Sequence, residues 1–244
     1  MNYRLTIQYD GSRYDGWQKQ GNTDNTIQGK LESVLSRMAG IPVEIHGAGR
    51  TDAGVHAEGQ VASFKLPGDR PAHEIMAELN RWLPEDIAVI TAIEVDERFH
   101  ARLSAKGKVY RYRLRLGDVP DVFSRKYQYR IAEAPDISAM ERAAALLTGT
   151  HDFRAFCANK RYKKSTVRTI HAIEFDRTGA DLTVTFRGDG FLYHMVRILT
   201  GTLLEVGLGQ RKPEEMTDIL ASLDRSRAGK TAPAQGLTLV EVEY

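Results

Sequence analysis

The amino-acid sequence predicts an α+β protein made of two units that share one order of elements. Apolar and polar residues alternate in some stretches, as in strands, and recur with a 3.6-residue period in others, as in helices. Each half of the chain is predicted to run strand, helix, strand, strand, helix, strand, which is the order of a ferredoxin-like unit. We therefore expect two such units, residues 1–100 and 101–244, each with an antiparallel sheet and helices on one face.

In the first half, helix signals separate the alternating stretches. Thr26 can cap a helix that Gly40 ends, and Pro71 suits the start of a second helix. Ile75, Leu79 and Trp82 are expected to form the apolar face of that second helix. The predicted strands are 2–9, 42–46, 60–66 and 86–95.

The second half begins with a strand, 106–116, that has two chemically different faces. Tyr110 and Tyr112 share one face with leucines, whereas Arg111 and Arg113 lie on the other face. The remaining predicted strands are 167–175, 181–186 and 237–243, and the predicted helices are 137–147, 191–206 and 213–223. The helix 191–206 is rich in apolar residues, so Arg197 within it needs either a carboxylate partner or a path to solvent.

Composition restricts the class of protein. The single cysteine, Cys157, cannot form an internal disulfide and argues against cysteine-rich zinc sites, so we predict a cytoplasmic protein. No apolar run is long enough to span a bilayer, and the first residues do not resemble a signal peptide. The formal net charge of +2 neither requires nor excludes nucleic acid, so the distribution of charge matters more than its sum.

The glycine-rich segment Gly47–Ala57 is the best candidate for a catalytic loop. It is neither a P-loop nor a dinucleotide fingerprint, because it lacks the required lysine and has Asp52 in place of the third glycine. Arg50 and Asp52 would point the same way in an extended segment, and an arginine beside an aspartate favours the ionised, nucleophilic carboxylate. The alternative is an ion pair that only stabilises a turn. We expect His56 to be a loop or capping histidine rather than a base.

Several motifs in order along the chain resemble those of the TruA family, tRNA pseudouridine synthase A. The strings are Gly47-Ala48-Gly49-Arg50-Thr51-Asp52-Ala53-Gly54-Val55-His56-Ala57, Tyr9-Asp10-Gly11, Tyr14-Asp15-Gly16-Trp17-Gln18, Thr26-Ile27-Gln28-Gly29, Phe99-His100-Ala101-Arg102, Tyr110-Arg111-Tyr112, His151-Asp152-Phe153, Thr166-Val167-Arg168 and Phe191-Leu192-Tyr193-His194-Met195-Val196-Arg197. Each string is weakly specific alone, but together they cover essentially the whole chain.

The resemblance implies isomerisation of uridine to pseudouridine in the anticodon stem-loop of tRNA, at positions 38 to 40. It implies Asp52 as the nucleophile, Tyr110 as the active-site aromatic and Arg50 and Arg197 as polar supports, in a cleft between the two units. It also implies a homodimer with neither cofactor nor metal. We expect Arg197 to pair with Asp52 and Tyr110 to stack on the uracil ring.

Basic residues are concentrated in two segments that contain no acidic residue. The first basic segment is 98–115 and the second is 154–168. Phe156 and Tyr162 lie among the charges of the second segment, and Phe153 directly precedes it. Such runs are often solvated surface, but they also suit an RNA phosphate-contact surface. The predicted RNA contacts are Arg102, Lys106, Arg154, Lys160, Arg161, Lys163, Lys164 and Arg168.

Two other functions fit part of the sequence. A non-catalytic RNA-binding module would explain the element order and the basic segments, but not the Arg50–Asp52 loop. A glycosidase generally needs two carboxylates across the scissile bond, and the loop offers only the more distant Glu58 beside Asp52. The isomerase is therefore the preferred prediction.

Overall fold

The computed structural model describes residues 1–159, 161 and 163–244, which form two compact units with α+β architecture. The first unit comprises residues 1–106 and 238–244, and the second comprises residues 107–237. The strands are β1 (Asn2–Tyr9), β2 (Ile45–Gly47), β3 (His56–Lys65), β4 (Ile87–Val95), β5 (Gly107–Leu116), β6 (Tyr129–Ile131), β7 (Gly149–Asp152), β8 (Val167–Thr178), β9 (Asp181–Gly188) and β10 (Leu237–Glu243). The α-helices are α1 (Ile27–Ala39), α2 (Ala72–Trp82), α3 (Ile137–Leu147), α4 (Met195–Gly207) and α5 (Glu215–Ser222).

The sheet of the first unit has the order β4-β1-β3, with β2 antiparallel to β3. Strand β10 runs parallel to β3 and pairs Thr238 with His56 and Leu239 with Ala57. The sequence predicts this last strand as part of the second unit, whereas the structure groups residues 238–244 with the first. The difference arises because chain order does not determine which strand edge a terminal strand will join.

Local signals set most elements of the first unit. Thr26 caps α1 by accepting a hydrogen bond from the Gly29 amide at 3.1 Å, and Gly40 ends that helix with φ of 70°. Ile75 and Leu79 are buried as predicted, but Trp82 is 49% exposed. Trp82 was expected in the core. It lies in the last turn of α2, where Arg37 stacks on its ring at 4.2 Å.

The sheet of the second unit has the order β6-β5-β9-β8-β7. Strand β6 is parallel to β5, and the other neighbours are antiparallel. The short strands β6 and β7 were not predicted, because three or four residues are too few to show an alternation. The predicted helix 191–206 begins only at Met195, since His194 has a positive φ of 60° and cannot continue a helix backwards.

The predicted two faces of β5 are present. Tyr110, Tyr112 and Leu114 are buried, and the arginines between them are half-buried. In the described part of the chain, no helix is long and apolar enough to cross a membrane. The observed class is therefore α+β with mostly antiparallel sheets, as expected.

Candidate active site

Asp52 opens a tight turn in the loop between β2 and β3. The Val55 amide donates to the Asp52 carbonyl at 3.1 Å, and Gly54, the third residue of this turn, has φ of 78°. A positive φ at this position is what a type II turn requires, and glycine adopts it without steric cost. Asp52 is half-buried.

A buried polar network holds the loop on both sides of Arg50. The Tyr9 and Thr51 hydroxyls lie 2.7 Å apart, and the Gln60 amide nitrogen donates to the Gly49 carbonyl at 2.9 Å. The Trp17 amide also donates to the Thr51 carbonyl at 3.0 Å. We call Tyr9, Thr51 and Gln60 the loop-anchoring network. Burial raises the pKa of Tyr9 to about 12, so its hydroxyl remains protonated at neutral pH.

Gly47 is needed for close packing, as the sequence suggests. A Cβ atom at this position would lie 2.5 Å from the Trp17 ring. That distance is far inside van der Waals contact, so any side chain would displace the indole. Because the Trp17 backbone holds Thr51, the displacement would reach the loop that carries Asp52.

His56 has a structural environment, in agreement with the sequence-based expectation. Its side chain is buried, and its Nδ1 atom accepts a hydrogen bond from the Gly11 amide at 3.1 Å. The Asp10 carboxylate lies 3.2 Å from the same nitrogen and also caps the turn at Ser12. His56 thus holds the segment after β1 against the end of the catalytic loop.

Arg50 is exposed at the surface of the loop, two residues before Asp52. The predicted support of Asp52 by Arg50 stays a prediction, and so does the alternative of an ion pair that only stabilises the turn. The guanidinium lies in solvent, where a phosphate could reach it.

Tyr110 lies on the apolar face of β5, opposite Phe186 of β9. It is only 8% exposed. The ring of Phe191 packs edge-on against it, with ring centroids 5.3 Å apart and planes at 87°. This contact fixes the plane of the Tyr110 ring. Phe191 was not identified as a site residue, and the sequence placed it at the start of a predicted helix, whereas it lies in the loop before α4.

Arg197 lies in the first turn of α4 and is half-buried. Its Nε donates to the Ala232 carbonyl at 2.8 Å, and the Ala232 amide donates back to the Arg197 carbonyl at 3.0 Å. Arg197 also acts on Tyr112, since its positive charge opposes the rise in the Tyr112 pKa that burial causes. The predicted Arg197–Asp52 ion pair joins residues of different units and stays a prediction.

The predicted RNA contacts are mostly at the surface. Arg102, Lys106, Arg154, Arg161, Lys163 and Lys164 are exposed. Arg168 is half-buried and donates to the Ser165 and Val167 carbonyls. Arg115 of the first basic segment pairs with Asp181 at 3.0 Å, so part of that segment's charge is compensated by an acid distant in sequence.

Phe153 and Phe156, which accompany the charges of the second basic segment, are core residues. Both are fully buried and pack against each other, with ring centroids 6.1 Å apart. A short 3₁₀ turn spans residues 154–156. The predicted contact Lys160, and Tyr162, lie outside the described residues.

Gln60 and Tyr9 were not singled out from the sequence. The signal that could have found Gln60 is an uncharged polar residue within the apolar stretch of β3, where a buried amide needs partners. Gln60 is completely buried, and the hydroxyl of Tyr9 lies 3.4 Å from its amide nitrogen. Among the described residues, no group of three or more His, Cys, Asp or Glu side chains is placed to hold a metal ion.

Known proteins resemble this chain along nearly its whole length. A family profile described as tRNA pseudouridine synthase matches residues 5–103 and 143–244. A tRNA pseudouridine synthase A of Bacillus sp. (strain KSM-64) is 49% identical over 243 residues, covering 100% of this chain and 99% of that protein. The enzyme of the same description from Brevibacillus brevis is 45% identical, covering 99% and 98%.

A solved structure titled as a Cbf5-Nop10-Gar1 complex is a much weaker match. It is 13% identical and aligns over 98% of this chain and 47% of that chain, with a TM-score of 0.34, too low to support an argument. The two sequence matches are much stronger than this structural match, because they extend over nearly the full chain at more than 40% identity. The chain therefore belongs to the tRNA pseudouridine synthase A family of isomerases.

Proposed function

We propose that this enzyme converts uridine to pseudouridine in the anticodon stem-loop of tRNA, at positions 38 to 40, with Asp52 as the nucleophile. The observation that carries the proposal is the presentation of Asp52. Asp52 is half-buried at the start of a turn, and hydrogen bonds to Tyr9 and Gln60 anchor the residues just before it. A carboxylate on an anchored and partly exposed loop is suited to covalent attack.

The reaction rearranges bonds without gaining or losing atoms. The N1–C1′ glycosidic bond breaks, and its electron pair goes to N1. The uracil then turns, a C5–C1′ bond forms, and the proton on C5 is released while N1 gains one. Asp52 would attack either C1′ of the ribose or C6 of the base and leave again when the new bond is complete.

The other site residues have roles that match their surroundings. Arg50 is exposed and would bind a phosphate beside the target nucleotide. Tyr110 is held by Phe191 and would stack on the uracil ring. A phenol is a poor base near neutral pH, so we assign Tyr110 to stacking first. Arg197 would stabilise negative charge on Asp52 or on the base.

The proposal extends to the assembly. Asp52 belongs to the first unit and Tyr110 and Arg197 to the second. We propose that residues of both units act on one uridine. We propose that both units are ferredoxin-like, that the exposed basic residues bind the flanking phosphates, and that the enzyme is a cytoplasmic homodimer. The target nucleotide must leave its helical stack to reach a carboxylate, which is a cost that phosphate contacts would partly offset.

The test is release of tritium from tRNA labelled at C5 of uridine. Wild type should release tritium, and Asp52→Asn should not, because an amide cannot form the covalent bond. Glu58→Gln is the matched control, since it neutralises the other carboxylate near the loop, and it should retain activity within a few fold. Full activity of Asp52→Asn would refute the nucleophile assignment.

The same assay separates the alternatives. A non-catalytic RNA-binding module would bind tRNA without releasing tritium, even as wild type. A glycosidase would depend on Glu58 and would release free base. Analysis of nuclease digests of the treated tRNA would show whether positions 38 to 40 carry the product.

A further inference from the structure

The loop between β9 and α4 carries a stacked aromatic pair at the surface. The rings of Tyr193 and His194 have centroids 3.8 Å apart and planes at 30°. Tyr193 is 53% exposed, whereas Phe153 and Phe186 of the same unit are fully buried. Burial in the core of the unit therefore does not explain the position of the Tyr193 ring. The exposed part of the ring is available to a ligand.

The backbone fixes the direction of this pair. His194 has φ of 60°, and in the described part of the chain only one other non-glycine residue, Leu223, has a positive φ. The Tyr193 carbonyl accepts from the Ala158 amide at 3.1 Å, and the His194 carbonyl accepts from the Ile198 amide at 3.0 Å. A left-handed conformation is unfavourable for histidine and persists only where the surroundings impose it, often at functional sites.

The pair lies between the proposed uridine site and the second basic segment. Phe191, two residues before Tyr193, packs edge-on against Tyr110. On the other side, Ala158, which binds the Tyr193 carbonyl, belongs to the second basic segment. The same loop is also held beside that segment, since the Asp189 amide and carboxylate bind the backbone of Thr169, the residue after Arg168. An RNA strand that reaches both Tyr110 and this segment would pass over Tyr193.

We propose that Tyr193 and His194 form a stacking platform for a nucleobase adjacent to the target uridine. This inference rests on the proposed function, because it takes Tyr110 as the residue that contacts the uridine. When the uridine leaves its stack, the neighbouring base loses a stacking partner. The exposed face of Tyr193 replaces that partner, with His194 supporting the ring from behind. Such stacking tolerates any base, because every base has a π face.

The test is a double-mutant cycle between the full-length enzyme and an RNA stem-loop. Equilibrium binding is measured for wild type and Tyr193→Ala with intact RNA, and with RNAs that carry an abasic site at each flanking nucleotide in turn. With intact RNA, Tyr193→Ala should weaken binding by about 5- to 150-fold, the range for loss of one stacked base. With the abasic site at the stacked position, the same substitution should have little further effect.

Two further variants separate stacking from other roles of Tyr193. Tyr193→Phe keeps the ring and should bind intact RNA within about twofold of wild type, whereas Tyr193→Leu keeps apolar bulk without a planar ring and should bind as weakly as Tyr193→Ala. Unfolding by urea should be nearly unchanged in all three, because the side chain is exposed.

The outcomes distinguish this inference from the proposed function. Equal losses for Tyr193→Ala with every abasic RNA, or no loss with intact RNA, would overturn the platform while leaving Asp52 as the nucleophile. Conversely, an active Asp52→Asn enzyme would overturn the nucleophile assignment, and the binding cycle would still report on Tyr193. A Tyr193→Phe variant as weak as Tyr193→Ala would assign the effect to the hydroxyl and refute stacking.

Discussion

The hydroxyl of Tyr9 contacts Thr51 of the loop that carries Asp52. Removing this hydroxyl would perturb the loop without altering a residue proposed to contact the RNA. Tyr9→Phe removes only one oxygen from a side chain that is 4% exposed. That oxygen lies 2.7 Å from the Thr51 hydroxyl and 3.4 Å from the Gln60 amide nitrogen. The substitution therefore leaves the buried Thr51 hydroxyl without its partner, one residue before Asp52.

The magnitude follows from the burial of both groups. An unsatisfied buried hydroxyl costs about 1–3 kcal/mol, whereas replacing both partners by apolar groups of the same shape is nearly neutral. We expect Tyr9→Phe and Thr51→Val each to lower the free energy of unfolding by about 1–2 kcal/mol. The double variant should lose less than the sum, with a coupling of about 1 kcal/mol or more.

Two assays test this reasoning. Urea denaturation gives the free energies of unfolding for the two single variants and the double variant. Tritium release measures activity, which should fall in kcat more than in KM, because the network positions the loop and does not contact the RNA. Strictly additive losses of stability in the double variant would refute a direct Tyr9–Thr51 hydrogen bond. Unchanged kcat in both single variants would refute its role in positioning Asp52.

Two more predictions concern pH and salt. The folded state raises the pKa of Tyr9 from 10.0 to about 12, so the stability this tyrosine contributes is complete below pH 10 and is lost as pH rises to 12. The loss is about 3 kcal/mol by linkage, and Tyr9→Phe should show a correspondingly shallower decline in urea titrations above pH 10. For RNA binding, Lys163→Ala and Lys164→Ala should each reduce the slope of log affinity against log salt by about 0.7–0.9. The control is Lys65→Ala, which should not change the slope, because Lys65 is already paired with Glu97 at 2.8 Å.

Elements with strong local signals were predictable from the sequence. The bounds predicted for β1 and α3 match the structure, and the Thr26 and Gly40 caps of α1 lie where their residue types indicate. These elements are determined within a few residues, by alternation, by a helical period or by a capping side chain. The short strands β6 and β7 carry no such pattern, because their pairing partners define them.

The residue types of the candidate site were also readable in advance, but their surroundings were not. The loop with Asp52 was recognisable as a string, and its turn follows from Gly54. The neighbours of Arg50 in the loop, Thr51 and Gly49, are held by Tyr9 and Gln60. Those partners are distant in sequence, so spacing within the loop could not reveal them.

The sequence by itself determined the α+β class, the two-faced strand β5 and the family, and it singled out the candidate catalytic loop, because each depends on residue types at short spacing. Tertiary structure alone decided that Phe153 and Phe156 are core residues and that β10 joins the first unit. It also decided that a buried hydrogen bond from Tyr9 holds Thr51, the residue before Asp52. The physical reason is that burial and hydrogen-bond partnership are properties of segments brought together by folding. For the loop that carries Asp52, the residues that hold it in place come from β1 and β3.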